Sequence, residues 1–355
     1  MFRRKPFSLQ PEMQNQLLTD AALGKETSRK PVWLMRQAGR VLPEYREVRA
    51  AAGSFLNLVK NPELASEVTI QPVDILGVDA AIIFSDILVL PEAMGLPYEL
   101  IETRGPVFPN PIRTMGQVEQ LRIAREADYQ YFLDALYLKS KKLDGRVPLI
   151  GFAGAPWTLF AYMIEGKGSK TFSLAKQFLY AEPLLSEKLI DKLSESLLTY
   201  LKAQIAAGAQ CLQVFDSWAG LLSLDIYKRY FLEPLAVVFR ELRKSNPEIP
   251  LIFFPKDAHY LIPSLSDFPC HAVSLDWTLE PEEARKNLGS GMVLQGNTDP
   301  CLLYADFPVI ETGIKRMMEK FGSEKHIVNL GHGLYPDLEK EKVKFFVETV
   351  KKLGK

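Results

Sequence analysis

A chain of 355 residues, 47% apolar and 24% charged, has the composition of a soluble globular protein and the length for a sizeable core. Its 43 basic and 43 acidic residues cancel, so no net field draws it to nucleic acid or to an anionic membrane, and affinity for a charged ligand has to come from local clustering. Cys211, Cys270 and Cys301 lie far apart, which excludes a disulfide framework and the close spacing of a zinc knuckle; all three read as buried small apolar residues in a reducing compartment.

The segment Met1 to Pro6 is basic, but no apolar stretch follows it as in a secretory signal, and it is short and serine-poor for a transit peptide. The first ten or so residues are expected to lack order. No apolar run approaches the roughly 18 residues that span a bilayer, so a cytosolic protein is expected. Short, largely continuous apolar runs then recur at Val32 to Met35, Ala80 to Phe84, Val147 to Phe152, Cys211 to Phe215, Pro250 to Phe254, His271 to Leu275, Met292 to Gln295 and His326 to Leu330. Continuous patterning fits strands buried on both faces of a parallel sheet, although periodicity alone does not separate them from buried helix. Between them lie helical patterns, among them Leu185 to Ala207, Asp299 to about Lys320, and Glu339 to Leu353. Eight runs alternating with helices imply an α/β fold, a (β/α)8 TIM barrel, as a single domain over 1–355. A proline-rich insertion is expected between Val89 and about Leu143.

Such a barrel places its active site at the C-terminal ends of its strands. Unusual polar residues do follow the runs: Arg36, Asp86, Gly154-Ala155-Pro156, Asp216-Ser217, Asp276, Gly296-Asn297 and Gly331-His332-Gly333. Turn chemistry accounts for many of them. It does not account for an arginine directly after a buried strand, or for a histidine between two glycines. Arg36 and Arg40 share a face of a helical turn, and Arg46 and Arg49 follow on a probable surface helix. Guanidinium forks bind carboxylates at two points. The cluster points to a polyanionic ligand, with carboxylate and phosphate both open. No phosphate-binding loop, dinucleotide fingerprint or zinc-ligand spacing is present.

Seven motifs in order carry a more specific resemblance. They are Pro31 to Arg40 with Leu42-Pro43-Glu44-Tyr45; Phe84-Ser85-Asp86-Ile87-Leu88; Gly151 to Leu159 with Tyr162 and Glu165-Gly166; Phe215 to Trp218; Ser274 to Trp277; Gln295-Gly296-Asn297; and Asn329 to Gly333. From about Asn15 to the C-terminus the chain resembles the uroporphyrinogen decarboxylase family. Val41 departs from the family's usual tyrosine, and Phe254 to His259 is less glycine-rich than its usual turn. The resemblance implies removal of carbon dioxide from four acetate arms of uroporphyrinogen III, giving coproporphyrinogen III, with no cofactor and no metal. It also implies a homodimer of barrels with facing clefts.

A pyrrole supplies its own electron sink. Protonating the ring carbon beside the acetate-bearing one gives an iminium-like cation that accepts the electrons released with carbon dioxide. The protein must therefore hold carboxylates, stabilise a cationic ring and deliver protons. By resemblance, Arg36, Gln37, Ala38, Gly39, Arg40 and Arg49 bind substrate. Asp86 accepts from the pyrrole N–H groups, and Ile82, Phe84 and Phe152 wall the macrocycle. Tyr162 bonds ligand or Asp86, Ser217 meets a carboxylate arm, and His332 holds a carboxylate or relays a proton. Arg36 is the family's leading proton donor, although a guanidinium is a weak acid. His259, His271 and His326 read as structural. Two rivals remain: a zinc-dependent, corrinoid-linked methyltransferase on the same barrel, and a tetrapyrrole carrier without turnover. The first needs a His-x-Cys pair and a further cysteine. Here Cys270 directly precedes His271.

Overall fold

A computed structural model describes residues 13–101, 104–323 and 325–354. The expected disorder of the first ten residues lies outside the described residues. In chain order the strands are β1 (Ala81–Ile82), β2 (Glu99–Ile101), β3 (Gly105–Val107), β4 (Leu149–Gly154), β5 (Cys211–Asp216), β6 (Leu251–Pro255), β7 (Ala272–Ser274), β8 (Val293–Thr298) and β9 (His326–Leu330). A curled parallel sheet runs β1-β4-β5-β6-β7-β8-β9, while β2 and β3 form a separate antiparallel hairpin. The α/β barrel expected from the eight apolar runs is the fold observed.

The run at Val32 to Met35 is shorter as a strand than its pattern implies. It is reduced to a bridge between Val32 and Val328. The Val328 N–H donates to Pro31 O (2.9 Å), the Trp33 N–H donates to Val328 O (3.3 Å), and the Asp79 N–H donates to Val32 O (2.8 Å). This short segment thus joins β9 to the residues leading into β1 and closes the sheet. Side chains then take over from the ladder. The Leu34 N–H donates to Gln37 Oε1 (3.0 Å), the Met35 N–H to Asn329 Oδ1 (3.1 Å), and Gln37 Nε2 to Ala80 O (2.9 Å). The chain leaves the sheet here with its buried backbone groups satisfied. That departure delivers Arg36 to the barrel mouth.

Inside the barrel, Trp33, Met35, Ile150, Cys211, Ile252, Phe254, Ala272, Val293 and Ile327 fill the lumen as a packed core rather than a pore. A second, larger core lies between the strands and the outer helices. One polar chain crosses the lumen. Trp33 Nε1 donates to Gln295 Oε1 (2.9 Å), and Gln295 Nε2 donates to Gln213 Oε1 and Ser274 Oγ (both 3.0 Å).

The helix expected at Leu185 to Ala207 runs Pro183–Ala206, and the last one runs Lys340–Leu353. The stretch after Asp299 is not one helix. A 3-10 turn, Pro300–Tyr304, stops at extended Ala305, and a helix restarts at Phe307–Phe321. Pro308 lacks an N–H and its ring would collide with a carbonyl one turn earlier, so the first turn cannot continue through it. The insertion is also shorter than expected. Helix Gln130–Leu143 packs on helix Pro62–Leu76 and leads into β4, so it serves the barrel itself. Cys211 and Cys270 are buried as expected; Cys301, at the surface turn after β8, is exposed.

Candidate active site

At the C-terminal ends of the strands lies a cavity of about 1340 Å³. It exceeds the roughly 300–1,000 Å³ usual for small-molecule pockets. Arg36, Ala38, Gly39, Arg40, Arg49, Ile82, Phe84, Asp86, Phe152, Ser217 and His332, all named from the sequence, line it. Gln37 and Tyr162 do not.

Gln37 is fully buried, with its amide committed to the Leu34 N–H and the Ala80 carbonyl. A ligand contact expected from the signature is thus replaced by a backbone clamp behind Arg36. Gln37→Ala would strand two buried backbone groups. At about 1–3 kcal/mol for each, it should lower stability by roughly 2–6 kcal/mol, read as a reduced urea midpoint at unchanged slope.

Arg36 sits in the left-handed region, at φ 61°. Only a few per cent of non-glycine residues do, and tightly determined sites are where they gather. Its surroundings show what holds it. A Cβ on Gly39 would lie 2.8 Å from Arg36 O, and one on Gly333 would lie 2.3 Å from Arg36 Cδ. A Cβ on Gly331 would meet the Trp277 nitrogen at 2.3 Å. The two glycines around His332 therefore answer to close approach: one admits the Trp277 backbone, the other the Arg36 side chain. Arg36 is exposed to the cavity. Desolvation in the depth of the cavity lowers its pKa, Tyr162 opposes the shift, and Arg40 adds to it. The groups acting on Arg36 are Tyr162, Arg40 and Tyr335, with no carboxylate among them. Arg40 and Arg46 are exposed on the same wall. The site therefore offers cations to an incoming anion.

The cavity also has an aromatic lining. Phe152 meets Phe215 edge-on at 5.9 Å, Phe215 meets Phe254 at 6.1 Å, and Phe254 faces His332 at 6.4 Å. Phe215 and Phe254 are register partners at the ends of β5 and β6. Neither was among the expected site residues. Their place at strand ends was the available signal, masked because phenylalanine also suits a core.

Asp86 follows β1. One carboxylate oxygen accepts from the Leu88 N–H at 2.9 Å. Burial raises its pKa to about 6, while that N–H lowers it, Glu92 raises it and Tyr98 lowers it. Near neutrality it is a carboxylate in apolar surroundings, which is suited to stabilising a cation. Tyr162 packs edge-on against Phe172 at 5.4 Å and feels both Asp86 and Arg36. It stands beside the cavity, within the influence of both charged groups. His332 differs from the expectation of near-neutral titration. Burial, then Arg36, then Lys256 push its pKa down to about 3, so it remains a neutral imidazole over the working range.

Other strand-end polar residues build turns. Asp216 accepts from Thr158 Oγ1 and Tyr227 Oη, both at 2.6 Å, and Asp276 accepts from the Asp257 N–H at 2.7 Å. Asn297 Nδ2 donates to Asp276 O (2.9 Å) and Leu279 O (2.7 Å). His271 Nδ1 accepts from the Leu251 N–H at 3.0 Å, and His326 stacks on Phe321. Cys270 precedes β7 and Cys301 follows β8, so they occupy opposite ends of the barrel. Among the described residues no three His, Cys, Asp or Glu side chains converge as a metal site.

The family model described as Uroporphyrinogen decarboxylase (URO-D) matches residues 13–353. The chain belongs to the uroporphyrinogen decarboxylase family. A Uroporphyrinogen decarboxylase of Salinibacter ruber is 45% identical over 96% of this chain and 96% of its own. That of Homo sapiens is 44% identical over 96% and 95%. A solved methyltransferase from Methanosarcina mazei superposes with a TM-score of 0.79, covering 96% of this chain and 99% of its own. At 20% identity that likeness speaks for the barrel alone. Membership in the uroporphyrinogen decarboxylase family, and not in the methyltransferase branch, agrees with the separated cysteines.

Proposed function

We propose that this chain converts uroporphyrinogen III to coproporphyrinogen III by decarboxylating its four acetate arms. The observation that carries the reading is one carboxylate, Asp86, lining a largely apolar cavity together with Arg36, Arg40 and Arg46. Family membership gives the substrate its name.

The arms bring eight carboxylates to a wall of guanidiniums. Opposite charges about 4 Å apart attract by roughly 4 kcal/mol at an effective dielectric of 20. Phe84, Phe152 and Phe215 press the macrocycle toward Asp86 and exclude water. Asp86 accepts from the pyrrole N–H groups. A proton adds to the ring carbon beside the acetate-bearing one; the ring becomes cationic over Asp86. The bond to the carboxylate breaks, carbon dioxide leaves, and its electron pair neutralises the ring. The exocyclic methylene then takes a proton to become methyl, and the ring carbon returns its own. Each cycle consumes one proton and releases one carbon dioxide. Arg36 is the proton donor favoured by family resemblance. His332, as neutral imidazole, hydrogen-bonds an arm without carrying charge.

Among the described residues no helix is long and apolar enough to cross a membrane. A cytosolic homodimer with facing clefts is part of this reading, by resemblance. Sedimentation as a monomer at micromolar concentration would remove the dimer.

Anaerobic incubation in the dark with uroporphyrinogen III and a chelator, then oxidation and chromatography, tests the activity. A ladder from eight to four carboxylates is expected. Binding without conversion would make the protein a carrier; neither binding nor conversion would overturn the substrate.

A further inference from the structure

Tyr98 lies immediately before β2, on the hairpin whose Leu100, Ile101 and Gly105 line the cavity. It is buried, and its ring packs on Phe108 at 5.9 Å. The hairpin base is fixed: the Phe108 N–H donates to Gly166 O at 2.7 Å, and Val107 bridges to Lys167. Yet the Tyr98 hydroxyl makes no formed hydrogen bond among the described residues. A buried phenol without a partner is a cost that phenylalanine would avoid. The carboxyl within its reach is Asp86.

We propose that Tyr98 is a positioning residue for Asp86, its hydroxyl closing a hydrogen bond to the carboxylate as positive charge develops on the ring above. The proposal rests on the reading of Asp86 given above. The geometry suits it. The Leu88 N–H already holds Oδ1. A second donor fixes the carboxylate plane and leaves its cavity-facing lone pairs for the pyrrole N–H groups. Hydrogen bonds at catalytic groups commonly tighten only with the reacting complex in place.

Other groups facing Asp86 do not substitute for this donor. Glu92 is itself paired with Lys60 Nζ at 2.7 Å. Tyr131 is turned to Glu92, Tyr200 is fully enclosed beside Tyr129 and Phe132, and Tyr162 packs on Phe172 and Trp218. Burial followed by the Asp86 charge raises the Tyr98 pKa, so it remains a donor throughout the working range.

The test is Tyr98→Phe in the full chain, with kcat and KM for uroporphyrinogen III measured across pH. Loss of a donor to the charged form raises the carboxyl pKa. The acid limb of kcat, which reports the substrate complex, should therefore move up by about one pH unit, with plateau kcat down roughly 3–10-fold and KM within about twofold. Urea stability should stay equal or rise, because only an unpartnered hydroxyl is removed. An acid limb at the parent position, or a loss of activity that tracks lost stability, would overturn the proposal. Asp86→Asn separates the two readings. If it abolishes turnover while Tyr98→Phe leaves the limb in place, only Tyr98's role falls. If Asp86→Asn itself turns over normally, the reading of Asp86 falls first.

Discussion

Asp86→Asn should cut kcat by roughly 10²–10³-fold while substrate still binds. The figure follows from the charge. An anion about 4 Å from a developing cation contributes roughly 4 kcal/mol at an effective dielectric of 20, and losing one preorganised polar group at a reacting centre costs about 10²–10³. KM should change far less, because the ring is neutral when it binds and cationic only on the way to product. The stability response should have the opposite sign. In the folded chain the Asp86 pKa is raised to about 6 by burial, above the ordinary value of 3.8. A carboxyl raised on folding is favourable while protonated, and that contribution is lost as pH climbs through the folded value. Asparagine cannot ionise. The variant should therefore match the parent below about pH 4 and become more stable than it, by up to about 3 kcal/mol, above about pH 6. Thermal or urea melts at both pH values check this. A variant that is inactive and less stable at neutral pH would mark Asp86 as scaffolding; near-normal kcat would remove its role as cation stabiliser.

Most of the barrel was legible because parallel strands buried on both faces are written as unbroken apolar runs. Seven of the eight runs became sheet strands. The run at Val32 to Met35 did not, although its pattern matches the others. Apolar periodicity reports burial, and those residues are buried. What shortens the strand is the capture of its backbone by Gln37 and Asn329, residues three positions away and at the far end of the chain. Only the folded arrangement reveals such a substitution of side chain for ladder. The broken helix after Asp299 has a different cause. There the relevant signal, Pro308, was present in the sequence but outweighed by the surrounding periodicity.

The site divides along similar lines. Arg36, Arg40, Asp86, Ser217 and His332 could be named because a polar or charged residue just past a buried strand is conspicuous. Phe215 and Phe254 could not, because the same residue type builds cores. Gln37 stood within the signature and was assigned to the ligand, but its amide is spent on the backbone that holds Arg36. Tyr98 had no motif at all. It is found through its burial and its unanswered hydroxyl. Polar strand-end residues also split in a way composition does not show. Asp216 is satisfied by two hydroxyls and faces inward, whereas Asp86 keeps an open side toward the cavity.

Arg36→Lys should lower kcat/KM by about 10–100-fold at neutral pH, and the deficit should widen as pH rises toward 9. The first part is geometric. A guanidinium gives a carboxylate two parallel donors from one plane; an ammonium is a point charge that reaches only one oxygen well. A charged hydrogen bond is worth roughly 1.5–3 kcal/mol, which corresponds to the stated range. The second part is electrostatic. Position 36 faces the cavity yet is partly desolvated, Arg40 is close, and no carboxylate compensates, a combination that already lowers the guanidinium pKa. Arginine remains charged even so. Lysine in that setting loses its proton as pH rises, because desolvation and a like charge both disfavour the ammonium. Its charge, and with it the capture of the arm, should drain away above neutrality while the parent is unaffected. The backbone offers no rival explanation, since lysine meets φ 61° with the same Cβ as arginine, and urea stability should be unchanged. Parallel kcat/KM profiles for parent and variant from pH 7 to 9 would mean that Arg36 is not desolvated in the way the cavity indicates. An undiminished kcat/KM would mean that it does not hold the substrate at all.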